Sequence, residues 1–213
     1  VFAGDDDEHV WLVQDPEQGS TVTALLVDLG ADVLAEVIVP QPWVSGSTRG
    51  GLVFNAGGRI YLAGSSGVRP IAQGEVHGVG RGGVVVRTCT DAARCSFHRL
   101  DPLSGRSVRL VLSVDPSSGV DATLAADGRT VLVPYGPAQT FAVEAFAADG
   151  SALGVLADRD LQGRPLWLPG DHGLLVPTYG GLLHTRIDGE GLHSTEVEAL
   201  GRFRTEVLLV VTR

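Results

Sequence analysis

The stretch LAADGRTVLVP, residues 124–134, is followed 43 positions later by WLPGDHGLLVP, residues 167–177. Each copy contains a short apolar segment, a polar turn with a glycine, and an apolar run that ends in Val-Pro. Apolar runs of the same kind recur as VWLV at 10–13, GLVF at 51–54 and GVVV at 83–86. A repeat of about forty residues indicates a protein built from similar supersecondary units.

The segments that follow each apolar run also repeat. An alternating segment closes on an Asp or Gly turn, as in TALLVDLG at 23–30, and one more short apolar segment comes after it. Asp-Gly and Ser-Gly pairs are strong turn signals, and no segment has the spacing of an amphipathic helix. Four short strands in about forty residues are typical of a β-propeller blade. We therefore predict an all-β single domain, 1–213, with five blades at roughly 1–39, 43–73, 75–112, 120–157 and 163–198.

One apolar run, EVLLVVTR at 206–213, is left over from the five units. We expect it to pair with the first blade, in the same sheet as residues 10–29, because this pairing closes the ring and removes an open edge. A β-sandwich and an incomplete larger propeller are the alternative architectures.

The two units at 124–134 and 167–177 resemble the Ser-Pro-Asp-Gly-Arg repeat of TolB-like and WD-repeat-like bacterial propellers. Ala125 and Ala126 stand where that repeat has Ser-Pro, and Gly170-Asp171 reverses its Asp-Gly order. Members of this group are often exported and use the scaffold for binding rather than catalysis. The resemblance therefore implies a propeller with a binding role, and it carries over no functional residue.

The chain has two cysteines, Cys89 and Cys95, at the end of the second strand and the start of the third in the third unit. Facing positions of a hairpin place Cβ atoms close to the separation that a disulfide requires. A zinc site needs four ligands, and these cysteines with His98 supply at most three. We predict a disulfide, with free thiols and a metal site as alternatives. A disulfide indicates an oxidising compartment, so we expect an extracytoplasmic protein, secreted or on the cell surface.

Composition excludes several classes of function. The chain has 44% hydrophobic and 19% charged residues, as globular proteins do, and a net charge of −9 with scattered arginines. We expect no nucleic-acid partner, because such partners require clustered basic residues, and no membrane span, because no apolar run approaches the required length. A monomer is expected. The chain begins at Val1, from which we expect a processed or trimmed product.

Candidate catalytic motifs have structural explanations. Residues 78–83, GVGRGG, match the G-x-G-x-x-G pattern of dinucleotide sites, but Val84 and the two valines after it predict a strand where such a site needs a helix. No G-x-S-x-G motif occurs in the sequence, and His172 and His184 have no evident third ligand. We predict no catalytic residue, no metal site and no cofactor.

Aromatic residues supply the candidate binding surface. Trp11 and Trp167 fall on predicted strands, where packing between blades is expected. Trp43 precedes the second unit in the sequence PQPW, and Tyr135 and Tyr179 follow the same strand in neighbouring repeats. We predict Trp43, Tyr135 and Tyr179 as a possible binding surface, or as parts of a repeated hairpin.

Acidic residues concentrate at one set of predicted turns. In the predicted propeller, the turns that join the first to the second strand and the third to the fourth strand of each blade emerge on one face. This face has four arginines, Arg49, Arg81, Arg106 and Arg129. It also has twelve acidic residues: Asp5, Asp6, Asp7, Glu8, Asp28, Asp32, Asp101, Asp127, Asp149, Asp171, Asp188 and Glu190. Either aspartate occurs there because it favours turns, or the face attracts a basic partner or cations.

The sequence leaves three functions to compare. A non-catalytic exported scaffold that binds a protein or carbohydrate partner is the main prediction. The first alternative is a propeller hydrolase or lyase with a site at the central channel, where carboxylates and histidines should converge. The second alternative is a carbohydrate-binding lectin, for which aromatic side chains should line the site.

Overall fold

The computed structural model describes residues 2–4, 8–14, 21–40, 44–91, 94–113, 120–134, 142–156, 165–168, 173–178, 181–188 and 191–197. Within these ranges every regular element is a β-strand, and no helix is long and apolar enough to cross a membrane. The strands form five antiparallel sheets, each with four strands in sequence order.

The strands have the following bounds. The first sheet contains β1 (Phe2–Ala3), β2 (His9–Val13), β3 (Val22–Asp28) and β4 (Val33–Val39). The second contains β5 (Gly46–Thr48), β6 (Gly51–Ala56), β7 (Arg59–Gly64) and β8 (Gly67–Gln73). The third contains β9 (Glu75–Gly80), β10 (Gly83–Asp91), β11 (Arg94–Leu100) and β12 (Ser107–Leu110). The fourth contains β13 (Val120–Leu124), β14 (Thr130–Pro134), β15 (Val143–Phe146) and β16 (Ala152–Leu156), and the fifth contains β17 (Leu166–Trp167), β18 (Leu174–Thr178), β19 (Gly181–Asp188) and β20 (Gly191–Glu196).

The arrangement confirms the all-β prediction and the four strands in each repeat. Five consecutive four-stranded meanders are consistent with a propeller-like fold. The segment 206–213 lies outside the described residues, so closure of a ring by this segment stays a prediction. The boundaries of a single domain over 1–213 also stay a prediction.

Alternate side chains of β10 show how the sheets stack. Val84 and Val86 pack with Val53 and Ile60 of the second sheet, whereas Val85 packs with residues of the fourth sheet. All three valines are buried because neighbouring sheets cover both faces of the strand. Similar apolar clusters join the first sheet to the second and the fourth to the fifth. Each sheet therefore lies face to face with the next along the chain.

The glycine-rich segment 78–83 is a strand, a turn and a strand. Gly78 and Gly80 belong to β9, Arg81 and Gly82 form the turn, and Gly83 begins β10. A strand follows the turn, as predicted, where a dinucleotide loop would need a helix.

The two cysteines are bonded to each other. Cys89 and Cys95 are directly opposite on β10 and β11, and their sulfur atoms are 2.05 Å apart. The predicted disulfide is therefore present, and it links β10 near its end to β11 near its start. A disulfide is compatible with an oxidising compartment.

Candidate functional site

The predicted aromatic surface cannot be placed, since Trp43, Tyr135 and Tyr179 lie outside the described residues. The two tryptophans on strands, Trp11 and Trp167, are both described. Trp11 is buried in the cluster between the first and second sheets, as expected for a packing residue. Trp167 lies under the guanidinium of Arg129, whose Cζ is 5.3 Å from the ring centroid. This contact joins the fourth and fifth sheets.

The acidic residues occupy the predicted turns. We call turn face the surface formed by the turns that join first to second and third to fourth strands. Because the strands of each meander alternate in direction, these turns lie at the same end of a sheet. Seven acids of the predicted set are described, and all are at or beside these turns: Glu8, Asp28, Asp32, Asp101, Asp127, Asp149 and Asp188.

Four of these aspartates stabilise their own turns. In each case a side-chain oxygen accepts a hydrogen bond from a backbone N–H two to four residues further along, at 2.9–3.0 Å. The pairs are Asp28 with Asp32, Asp101 with Leu103, Asp127 with Arg129, and Asp149 with Ser151. Such bonds are the usual reason for aspartate in turns. Turn chemistry therefore accounts for the positions of these four residues.

Hydroxyl groups lower the pKa of two of the turn carboxylates. The Ser104 hydroxyl donates to Asp101 at 2.7 Å and holds the pKa of Asp101 below its ordinary value. The Ser151 hydroxyl does the same for the pKa of Asp149, at 2.6 Å. Both side chains therefore stay negative to a lower pH than an ordinary aspartate does. The stability that each adds is present above the unfolded-state pKa and is lost as the pH falls through the lower folded-state pKa.

Arginine side chains tie the turns of three sheets together. Arg49, in the first turn of the second sheet, donates to the carbonyl of Ala126 in the fourth at 3.1 Å. Arg99, on β11 of the third sheet, donates to Gly82 in its own sheet at 3.1 Å and to Ala148 in the fourth. Arg69 of the second sheet donates to a carbonyl of the third, at Pro102. These bonds fix the turns relative to one another.

A cavity of about 190 Å³ opens among the cross-linked turns. Arg99, at its wall, is only 8% exposed, and its buried atom Nε has no hydrogen-bond partner in the described ranges. We call this cavity the arginine pocket. Its lining consists of Arg49, Arg81, Gly82, Arg99, Asp101, Pro102, Leu103, Ala126, Asp127 and Gly128.

A second cavity, of about 440 Å³, is lined by residues in or just before the first strands of the second to fifth sheets. Its lining is Ser45, Val76, His77, Gly78, Val79, Ala122, Thr123, Pro165 and Leu166. The His77 Nδ1–H donates to the carbonyl of Val120 at 2.7 Å, which leaves Nε2 as the acceptor nitrogen of the neutral ring. Nε2 is 3.7 Å from a carboxylate oxygen of Glu75. His77 is the one titratable side chain among the described lining residues.

A hydroxyl group and an imidazole meet near the disulfide. Ser96 Oγ is 2.9 Å from His98 Nε2, and Thr88 Oγ1 is 3.1 Å from Ser96 Oγ. Burial lowers the pKa of His98, and the nearby positive charge of Arg109 lowers it further. The imidazole is therefore mainly neutral at neutral pH and can accept the hydroxyl proton in this hydrogen bond. The two-residue spacing of Ser96 and His98 on one strand is the one local signal for this pair, and sequence reasoning did not use it.

Sequence reasoning placed Arg49 and Arg81 on the turn face but missed Arg99. One signal was available. Phe97 and Arg99 are two positions apart on β11 and therefore share a face of the strand, and Phe97 is buried. An arginine at a position that alternation assigns to the interior indicates a buried cation with specific partners.

The fold and the pocket define a propeller-like all-β protein with a basic cavity on an otherwise acidic face. No protein-family model matches the chain, and no curated protein matches it. Among solved structures, it is similar to a Bacteroides fragilis protein with the provisional name 6-phosphogluconolactonase. The identity is 11%, the TM-score is 0.35, and the alignment covers 91% of this chain and 81% of that one. A similarity at this level supports no inference about activity.

Proposed function

We propose that the chain is a non-catalytic, exported binding scaffold and that its binding surface is the turn face. The observation that carries this proposal is the set of arginine bonds between sheets, above all the bond from Arg99 of the third sheet to Ala148 of the fourth. Turns that are already fixed in position lose little conformational freedom when a partner binds. A rigid, cross-linked surface is therefore suited to recognition.

The charge of the turn face favours a protein segment with a net positive charge. Glu8, Asp32 and Asp188 are exposed there, in addition to the four aspartates that stabilise turns. Clustered charges of one sign create a field that attracts and orients an oppositely charged partner. This attraction should mainly raise the association rate and the selectivity for the partner, and added salt should weaken it.

Binding of a fluorescein-labelled octalysine peptide, followed by anisotropy, tests this proposal. Substitution of Glu8, Asp32 and Asp188 by their amides should weaken binding about five- to tenfold, because each exposed charge contributes a few tenths of a kcal/mol. The matched pair is Asp32→Asn and Glu36→Gln. Both residues are exposed in the first sheet, but Glu36 lies within β4, away from the turns.

Asp32→Asn should weaken peptide binding more than Glu36→Gln does, although each variant removes one negative charge. Equal effects of the two variants would show attraction to net charge alone and would contradict a defined surface. A wild-type protein that does not bind the peptide at low salt would contradict the proposal as well.

Export of the protein is supported by the Cys89–Cys95 disulfide. Protein taken from its cells under acid quench and unfolded without reductant should react with no thiol reagent. The same sample after reduction should show two thiols for each chain, which is the control. Two reactive thiols before reduction would count against both the bond in the cell and an oxidising compartment.

One observation favours the enzyme alternative, a hydrolase or lyase at the central channel. His77 lines the 440 Å³ cavity, and the bond from Nδ1 to Val120 orients its acceptor nitrogen beside Glu75. Such a group could accept a proton from a bound substrate. The lectin alternative depends on Trp43, Tyr135 and Tyr179, which are outside the described residues.

A further inference from the structure

Arg99 carries a buried positive charge that is only partly compensated. Its guanidinium donates to two carbonyl oxygens, which are neutral groups, and Nε–H has no partner among the residues that the structure describes. Asp101 is near enough for an electrostatic interaction, but no close ion pair joins Arg99 to a carboxylate among the described residues. Buried charges in proteins are normally paired, because removing an ion from water is costly. Within the described part of the chain, this arginine therefore has no close counter-charge.

The carboxylates that line the arginine pocket are engaged elsewhere. Asp101 accepts hydrogen bonds from the backbone of Leu103 and from the Ser104 hydroxyl. Asp127 forms a 2.7 Å ion pair with the side chain of Arg129. Three guanidinium groups line the cavity, and the two carboxylates beside them already have partners within their own turns. The lining therefore has a net positive charge, with three guanidinium groups against two carboxylates, although the surrounding turns are acidic.

We propose that the arginine pocket binds a small oxyanion, the carboxylate or phosphate group of a ligand held at the turn face. The planar guanidinium group matches carboxylate and phosphate oxygens with two parallel hydrogen bonds, and such charge-assisted bonds are strong. A cavity of about 190 Å³ has room for several waters and hence for one such group. The proposal rests on the turn face being a binding surface, and it adds the chemical class of the ligand.

The acidic residues around the pocket have a predictable effect on this binding. Their negative potential lowers the local concentration of free anions. Direct contact with the arginines therefore raises the affinity of a small oxyanion, and the negative potential of the surrounding acids lowers it. The triple amide variant of Glu8, Asp32 and Asp188 should therefore bind an oxyanion as tightly as wild type or more tightly. The same variant should bind octalysine less tightly, so the two proposals predict effects of opposite sign.

Titration calorimetry with inorganic phosphate and with citrate tests the pocket at constant ionic strength. Wild-type protein should bind at least one of these anions. Arg49→Gln and Arg81→Gln should each weaken that binding by roughly tenfold, about the contribution of one charge-assisted bond. Arg59→Gln is the matched control. Arg59 is an exposed arginine at the start of β7, at the opposite end of the second sheet, and its substitution should change the affinity less than twofold.

The two probes separate the possible sources of the oxyanion. Tighter binding of phosphate would indicate that the natural ligand has a phosphate group, and tighter binding of citrate would indicate a carboxylate. Either result supports the arginine pocket as a binding site. The proposal is wrong if neither anion binds wild type, or if Arg59→Gln weakens binding as much as the pocket variants. Melting temperatures without ligand verify that Arg49→Gln and Arg81→Gln are folded. If the protein binds an anion but not octalysine, the arginine pocket is supported and the proposed basic partner is wrong. If it binds octalysine but neither anion, the basic partner is supported and the arginine pocket is wrong.

Discussion

Gly78→Ala should lower the free energy of unfolding by about 3 kcal/mol, near the upper end of the usual cost of overpacking. A Cβ atom on Gly78 would lie 2.5 Å from the carbonyl oxygen of Ala122 and 2.7 Å from the Ala122 Cβ. The first of these neighbours is backbone, which cannot rotate away, so β13 would have to move away from β9. In a chain of this length the melting temperature should fall by about 6–12 °C.

Urea unfolding measures this loss. Gly30→Ala is the control, because Gly30 is exposed and its nearest neighbour would be the movable side chain of Asp28 at 3.2 Å. Its effect should stay within about 0.5 kcal/mol. Gly80→Ala, with the carbonyl of Leu124 at 2.8 Å, should have an intermediate effect and serves if Gly78→Ala does not fold. A loss below about 1 kcal/mol for Gly78→Ala would show that the third and fourth sheets are not packed this closely.

Arg99→Met should also cost about 3 kcal/mol of stability. The carbonyls of Gly82 and Ala148 lose charged donors, and each such bond contributes roughly 1.5–3 kcal/mol. Removing a buried charge recovers part of this cost, so the net loss is smaller than the sum of both bonds.

Arg49→Met is the matched control for Arg99→Met. It removes one bond between sheets, to Ala126, at an exposed position and should cost about 1 kcal/mol or less. Denaturant midpoints of the two variants provide the comparison. Equal stability of Arg99→Met and wild type would contradict the role of Arg99 in cross-linking the turns.

The turn aspartates show how local chemistry and a surface field arise from the same residues. Hydrogen bonds from backbone N–H groups explain why aspartate occurs at positions 28, 101, 127 and 149. Their charges nevertheless remain, and the order of the meanders places them at equivalent ends of the sheets. A negative face can therefore follow from turn formation alone, which is why the comparison of Asp32 with Glu36 is needed.

The repeated strands could be predicted because strand formation in this chain has local signals. Alternation of apolar and polar residues and glycine-containing turns are properties of neighbouring residues, and they identified four strands in each repeat. The opposition of Cys89 and Cys95 could be predicted for the same reason, since a hairpin relates positions only six residues apart. The candidate aromatic surface had no comparable local signal, and it lies outside the described residues.

The sequence by itself determined the all-β class, the repeat of four strands, the acidic turns and the cysteine pair. Only the tertiary structure decided that Gly78 allows two sheets to approach and that Arg99 is buried at the wall of a basic pocket. Arg99 and Ala148 are 49 positions apart in the chain. Their contact depends on how separate sheets pack, and periodicity within one sheet contains no information about the partner that a neighbouring sheet will provide.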